Sequence, residues 1–201
     1  MNTTFKNIIE NEANELLQVA KYIKGSQVKQ IINLITNSSK KNIFFTGCGT
    51  SAMAAKKIIH SFQVIDFPAF YINPSDAVHG AIGSIKKEDI IFMISKGGNT
   101  KELTSFVNNL KDKQVKIVAI TENPDSYIAQ NADYIVEMPK VKEPDKFNML
   151  ATASTLSVIS LFDSIIISAM NQLQFTKESF LINHPSGDVG ARLNEEIGPT
   201  S

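Results

Sequence analysis

A single cysteine, Cys48, excludes an internal disulfide in this chain of 201 residues. Twenty Lys and Arg residues against twenty Asp and Glu leave no net charge, which excludes the global field that draws a protein onto nucleic acid or an anionic membrane. The expected partner is a small molecule or another protein. The N-terminal MNTTFKNIIENE is too polar for the apolar core of a secretion signal, so the expected compartment is the cytoplasm. No stretch is repetitive or of low complexity, and no Gly/Ser or Pro linker divides the chain. Length and a 43% hydrophobic content predict one domain over residues 1–201, with one well-filled core.

Residues 149–172, MLATASTLSVISLFDSIIISAMNQ, are long enough to cross a bilayer as a helix. Asp163, seven Ser or Thr residues and the lack of a flanking Lys/Arg cluster argue instead for a buried or interfacial helix, with no membrane partner.

Periodicity supplies the fold. Phe5, Ile8, Ile9, Ala13, Leu16, Leu17, Ala20 and Ile23 recur at three and four, which predicts an amphipathic helix ending before Gly25. A second helix is expected from Ser26 to about Asn37, with Val28, Ile31, Ile32 and Ile35 inward. Residues 1–40 thus read as a helical extension packing on the core. Short, nearly continuous apolar runs follow at 42–47, 68–73, 89–95, 115–121 and 134–139, the pattern of strands buried on both faces. Helical patterns separate them at 52–63, 101–112 and 126–132. Strand and helix in alternation predict an α/β fold: a three-layer αβα sandwich around a mostly parallel five-stranded sheet. Ligands of such sheets sit beyond the carboxyl ends of the strands, where the strand order reverses.

Two strands run into glycines and hydroxyl residues: IFFTGCGTS at 43–51 and IFMISKGGNT at 91–100. Gly47 and Gly49 permit a sharp turn, and Thr50 and Ser51 open the next helix, whose first N–H groups suit an anion. Ser95, Gly97, Gly98 and Thr100 repeat the pattern, with Thr100 as the expected helix cap and Lys96 as an added charge. A pair of such loops on neighbouring strands points to one phosphate held between them. Either loop alone also reads as an ordinary tight strand-to-helix turn. Neither is a Walker A sequence, and GCGTSA lacks the third glycine of the dinucleotide fingerprint, which disfavours ATP and NAD. Cys48 reads as a small residue in the turn, or as a thiol activated by the helix start.

With these loops the chain resembles the SIS (sugar isomerase) domain family, and in motif order the arabinose-5-phosphate isomerases of the KpsF/GutQ type. The matching runs are TGCGTSAMAAKKI, YINPSDAVHGAIGSI, FMISKGGNTKEL, AITENPDSYIAQNADYIVEMPKVKE and FLINHPSGDVGARL, spanning residues 45–193. The resemblance implies a flavodoxin-like fold and four acid/base positions: His79 in AVHG, Glu102 in NTKE, Glu143 in VKE and His184 in NHPSG. It implies an aldose–ketose isomerase of phosphorylated sugars, most like the arabinose 5-phosphate/ribulose 5-phosphate pair. No metal or organic cofactor is expected for such proton transfer.

The sequence departs from the family at two points. Thr50 stands where its first loop usually carries a lysine, and Gly97 replaces a serine beside Lys96. The CBS pair that often follows the domain in that family is not expected after ARLNEE. Moving a carbonyl between C1 and C2 needs a base at carbon, an acid for the enediolate and help with ring opening. Glu143 or Glu102 is expected as the base, its pKa raised by partial burial; His184 is expected for ring opening or proton relay, and His79 as an orienting group.

Each of the four also has a plain structural reading. Glu102 suits a helix first turn, Glu143 a solvated loop, His79 a satisfied core histidine and His184 a turn before Pro185. His60 matches no motif. Excess apolar surface on the first two helices and on residues 149–172 predicts a homodimer or homotetramer, in which His184 serves a neighbour's pocket. Two other functions fit the same loops: a non-catalytic sugar-phosphate-binding regulator, and another isomerase such as a 3-hexulose-6-phosphate isomerase.

Overall fold

The computed structural model describes residues 4–37 and 41–198. The expected N-terminal extension is therefore seen from 4 to 37; its residues 1–3 and 38–40 lie outside the described residues. In chain order come helices α1 (Phe5–Tyr22) and α2 (Gly25–Thr36), strand β1 (Ile43–Gly47), α3 (Thr50–Val64), β2 (Ala69–Tyr71), α4 (Pro74–Ala77) and a 3-10 turn at Ala81–Ser84. Next are β3 (Ile90–Ile94), α5 (Lys101–Thr104), α6 (Val107–Asp112), β4 (Lys116–Thr121), α7 (Tyr127–Gln130) and β5 (Tyr134–Glu137). The chain closes with α8 (Ala153–Gln172), α9 (Lys177–Asn183) and α10 (Gly187–Ile197).

The apolar runs form strands because they are buried on both sides. In β1 and β3 every residue is buried. Phe45, Phe92 and Val118 face one way, into a core shared with α3 and α8, while Phe44, Ile91, Met93 and Ile117 face the other, against α5, α6 and α7. Among the described residues the sheet is wholly parallel, in the order β2-β1-β3-β4-β5. That is the expected three-layer α/β architecture. The order reverses between β1 and β3, and the register sets Gly47 opposite Ile94. Both glycine loops therefore leave the sheet side by side.

An aromatic cluster fastens α8 to the sheet. The rings of Phe45 and Phe92 stack with centroids 4.8 Å apart, and Phe162 of α8 meets them edge-on at 5.3 and 5.2 Å. Lys57 of α3 pairs with Asp163 of α8. Among the described residues α8 alone is long and apolar enough to cross a membrane. Here it is a core helix, with Leu161, Phe162, Ile165 and Ile166 buried in the chain.

One expectation needs correction. The single helix expected at 101–112 is broken at Phe106 (φ −119°, ψ 8°) into α5 and α6. Its apolar spacing is helical, but the hydroxyls of Thr104 and Ser105 donate back to the carbonyls of Lys101 and Glu102 at 3.2 and 2.9 Å, which competes with regular helix. On α1, Val19 is buried, whereas Phe5 and Ile9 are 81% and 62% exposed, so part of its apolar stripe is uncovered by the rest of the chain. Removing the central ring should be costly. Phe162→Ala is expected to lower unfolding free energy by about 3–5 kcal/mol in a denaturant titration; a loss below about 1 kcal/mol would show that this ring does not hold α8 on the sheet.

Candidate functional site

The carboxyl ends of β1, β3 and β4 open into a cavity of about 90 Å³. Thr50 and Ser51 line it from the first loop, Lys96 from the second, Thr121 and Glu122 from the end of β4, and Ser154 from α8. Gly49 makes the first turn with φ +58° and serves as N-cap of α3 without a side-chain cap, and the N–H groups of Ser51, Ala52 and Met53 in the opening turn of this 15-residue helix donate to the carbonyls of Cys48 and Gly49. The half-buried Tyr71 donates its hydroxyl to the Gly47 carbonyl at 2.7 Å, bracing the same turn.

The second loop is built differently from the first. The Ser95 and Thr100 hydroxyls bond each other at 2.9 Å, and Ser95 Oγ also accepts from the Gly98 N–H at 3.0 Å. Thr100 sits at the cap position of α5 but its side chain caps nothing, contrary to expectation. Gly98 has φ +65°, and a Cβ there would lie 2.0 Å from Ser126 Oγ, so a glycine is required for the loop to pack on α7. Gly97 is exposed.

Backbone bonds lock this loop to β4. The Lys96 carbonyl accepts from the Glu122 N–H at 3.0 Å and from the Thr121 hydroxyl at 3.0 Å. Lys96 Nζ then lies 3.3 Å from Glu143 Oε1 and 3.7 Å from Glu122 Oε1. One half-exposed cation thus serves two carboxylates.

The two carboxylates differ sharply in surroundings. Glu143 is 2% exposed, which excludes the solvated-loop reading. It lies behind Lys96 and Ser154, and its Oε2 accepts from the backbone N–H groups of Thr152 and Ser154 at 3.0 and 3.4 Å, at the otherwise uncapped start of α8. Burial acts to raise its pKa. The Ser154 hydroxyl, those two amides and Lys96 outweigh that effect and hold the carboxyl below the ordinary glutamate range, the reverse of the expected shift. Among the described residues Glu122 accepts one backbone bond, from Val141 N–H at 3.3 Å. Burial pushes its pKa up, the Glu143 charge adds to this, and Lys96 and the Val141 amide offset only part of it.

Sequence reasoning did not single out Glu122. The available signal was positional: it directly follows the apolar run of β4, as Lys96 follows Ser95 at the end of β3. Among the other expected residues, Glu102 lies in the first turn of α5, and its charge, after burial, helps push the Cys48 thiol upward. Cys48 is therefore not an activated thiolate. His79 is exposed just beyond α4, outside the cavity lining, so it is not a satisfied core histidine.

His184 ends α9, and the preceding Asn183 side chain bonds the Val64 carbonyl at 3.1 Å, at the far end of α3 from Thr50. A helix of that length separates the two by about 20 Å, so one chain does not bring His184 to the cavity. Its Nδ1 is buried without a partner among the described residues. His60 is exposed on α3. Among the described residues no group of three or more His, Cys, Asp or Glu is placed to hold a metal ion.

A family model described as the SIS domain matches residues 36–168. The chain belongs to the SIS domain family. Its relatives include an uncharacterised protein of Rickettsia prowazekii, 33% identical over 94% of this chain and 59% of that protein. Another is arabinose 5-phosphate isomerase KpsF of Escherichia coli O6:H1, 31% identical over 95% of this chain and 58% of that one. The chain thus spans less than two thirds of the curated relatives it matches. Among solved structures, a Listeria monocytogenes protein superposes with a TM-score of 0.85 at 42% identity, over 92% of this chain and 100% of that one. An E. coli CFT073 protein in complex with arabinose 5-phosphate gives a TM-score of 0.85 at 26% identity, over 90% and 95% of the two chains.

In this SIS chain the carboxylate on the α8 terminus carries a stability signature. Because the folded-state pKa of Glu143 is depressed, its contribution is fully present above the ordinary glutamate value of about 4.3 and is lost as pH falls through the lower folded-state value. Glu143→Gln is expected to cost about 1–3 kcal/mol at pH 7, most of it from the amide bonds, since half-exposed Lys96 is screened by solvent. Chemical unfolding of both proteins at pH 7 and near pH 3 checks this; a gap that does not shrink in acid contradicts it.

Proposed function

We propose that the protein is a phosphosugar aldose–ketose isomerase acting through an enediolate, with arabinose 5-phosphate and ribulose 5-phosphate as its substrate pair. The observation that carries this reading is the convergence of Glu143, Lys96 and Glu122 beside the α3 turn at the carboxyl end of the sheet. Similarity to arabinose 5-phosphate isomerase KpsF and to a structure holding that sugar phosphate supports the choice of sugar.

In this reading the phosphate is taken by the glycine loops: by Gly47, Gly49, Thr50 and Ser51 at the start of α3, and by Ser95, Lys96, Gly97 and Thr100 opposite. Glu143, held ionised by α8, removes the proton from carbon. Its Oε2 is anchored by amides while Oε1 accepts from Lys96, so rotation of that half-exposed lysine toward the anionic substrate would loosen Oε1 for work as the base. Lys96 is the cation of this loop pair, the position of the family's loop lysine being Thr50. Glu102, whose charge is felt at Cys48 of the first loop, and His79, just beyond the α4 that packs on α5, are assigned supporting roles in this reading.

In this reading His184 completes the site from a second copy of the chain, which its distance from Thr50 supports. Uncovered apolar side chains supply surface for that copy: Phe5 and Ile9 on α1, and Phe147, Met149 and Leu150 beside Glu143. The loss of the loop lysine at position 50 favours a second reading, a sugar-phosphate sensor.

Proton NMR in deuterated water with either sugar separates the two. Turnover or deuterium incorporation is expected, and Glu143→Gln is expected to abolish exchange while leaving sugar-phosphate affinity nearly intact. Tight binding without exchange by the parent protein would establish the sensor instead, and equal exchange by parent and variant would remove Glu143 from the chemistry.

A further inference from the structure

Glu122 and Lys96 are the titratable side chains among the described residues lining the cavity; the remainder of the lining is apolar or hydroxylic. Their placement is a consequence of the sheet. β3 and β4 pair in parallel register, and the Glu122 N–H to Lys96 carbonyl bond continues that pairing one step past the strands, so the two side chains leave adjacent backbones at one level. The Glu122 side chain is 13% exposed, and its Oε2 bonds no described residue. A carboxyl held on one side and idle on the other, in a largely apolar cavity, has no evident packing role.

We infer that Glu122 is the acid of this cavity, the group that protonates the sugar oxygen while Glu143 takes the proton from the neighbouring carbon. The inference rests on the isomerase reading above and adds a residue to it. The step balances without any further reactant. As the C2–H bond of the aldose breaks toward the Glu143 carboxylate, its electron pair forms the C1–C2 double bond, and the carbonyl pair moves to O1, which takes the Glu122 proton. The Glu122 carboxylate then accepts the proton of the C2 hydroxyl, C2 becomes the carbonyl, and Glu143 returns its proton to C1.

Two carboxyls in one site divide acid and base work when their surroundings drive their pKa values apart. Here the α8 amides keep one ionised and burial keeps the other protonated to higher pH. The charged groups facing Glu122 are Lys96 from the loop after β3 and Glu143 from the segment after β5. The lysine opposes the upward shift, the carboxylate reinforces it, and in the reaction the same lysine lies beside the enediolate.

The test is Glu122→Gln, which keeps shape and a hydrogen-bond donor but cannot transfer a proton. With arabinose 5-phosphate in deuterated water, its kcat is expected to fall by about 100-fold or more with KM little changed. Deuterium exchange at carbon should fall less than conversion, because the enediolate still forms but its oxygens no longer trade protons. The loss of wild-type kcat at rising pH should disappear in the variant.

A second readout needs no turnover: in protein carrying 13C at the glutamate carboxyls, the signal lost in E122Q should titrate above the ordinary value of about 4.3. An active wild type whose Glu122 signal titrates at or below that value, or whose variant loses exchange and conversion in equal proportion or neither, overturns the acid role alone. A wild type inert toward both arabinose 5-phosphate and ribulose 5-phosphate overturns the isomerase reading and this role with it.

Discussion

The carboxylate of Glu143 on the first amides of α8 is the contact on which the site depends. The segment from β5 to α8 has no regular structure of its own to hold it over the sheet. What fixes it is a short run of polar bonds: Glu143 to Thr152 and Ser154, the Glu143 N–H to Asn148 at 2.7 Å, and three backbone N–H groups onto Asp145. A negative charge at a helix N-terminus is favourable, and burial makes each bond count for more. The same anion draws Lys96 down from the neighbouring loop. Helix, coil and second glycine loop are therefore tied through one side chain, and the cavity is what remains between them.

The sheet supplies the rest of the geometry. Parallel pairing places the ends of β1, β3 and β4 side by side, so residues far apart in sequence, Ser51, Lys96 and Glu122, line one cavity, the last two also joined by a backbone bond and an ion pair. The fold thus presents one cation and two carboxyls in different electrostatic states. The proposed reaction, which moves a proton off carbon and another onto oxygen, asks for that pairing.

Much of this was legible in the sequence, for identifiable reasons. Doubly buried strands write themselves as continuous apolar runs, and the five expected strands match the observed ones to within two residues at any end. The glycine loops were legible because turns at strand ends restrict residue type, as Gly98 shows with its close approach to Ser126. The helix break at Phe106 was hidden, since hydroxyl groups bonding back to the chain leave the apolar period intact. The sign of the Glu143 shift was hidden too, because its determinants are backbone amides about ten residues away whose direction only the folded α8 defines. Glu122 had position but no motif. The stripe of α1 was read correctly as apolar, but its period does not say whether its own domain or another chain covers it.

A crystal structure of the complex with arabinose 5-phosphate tests the central claim most directly. The account requires the phosphate at the opening turn of α3 near Ser51, the sugar carbons C1 and C2 between Glu143 and Glu122, and Lys96 Nζ swung off Glu143 Oε1 toward the ligand. A phosphosugar seated away from these residues, with the Lys96–Glu143 pair as it stands in the free protein, would contradict it.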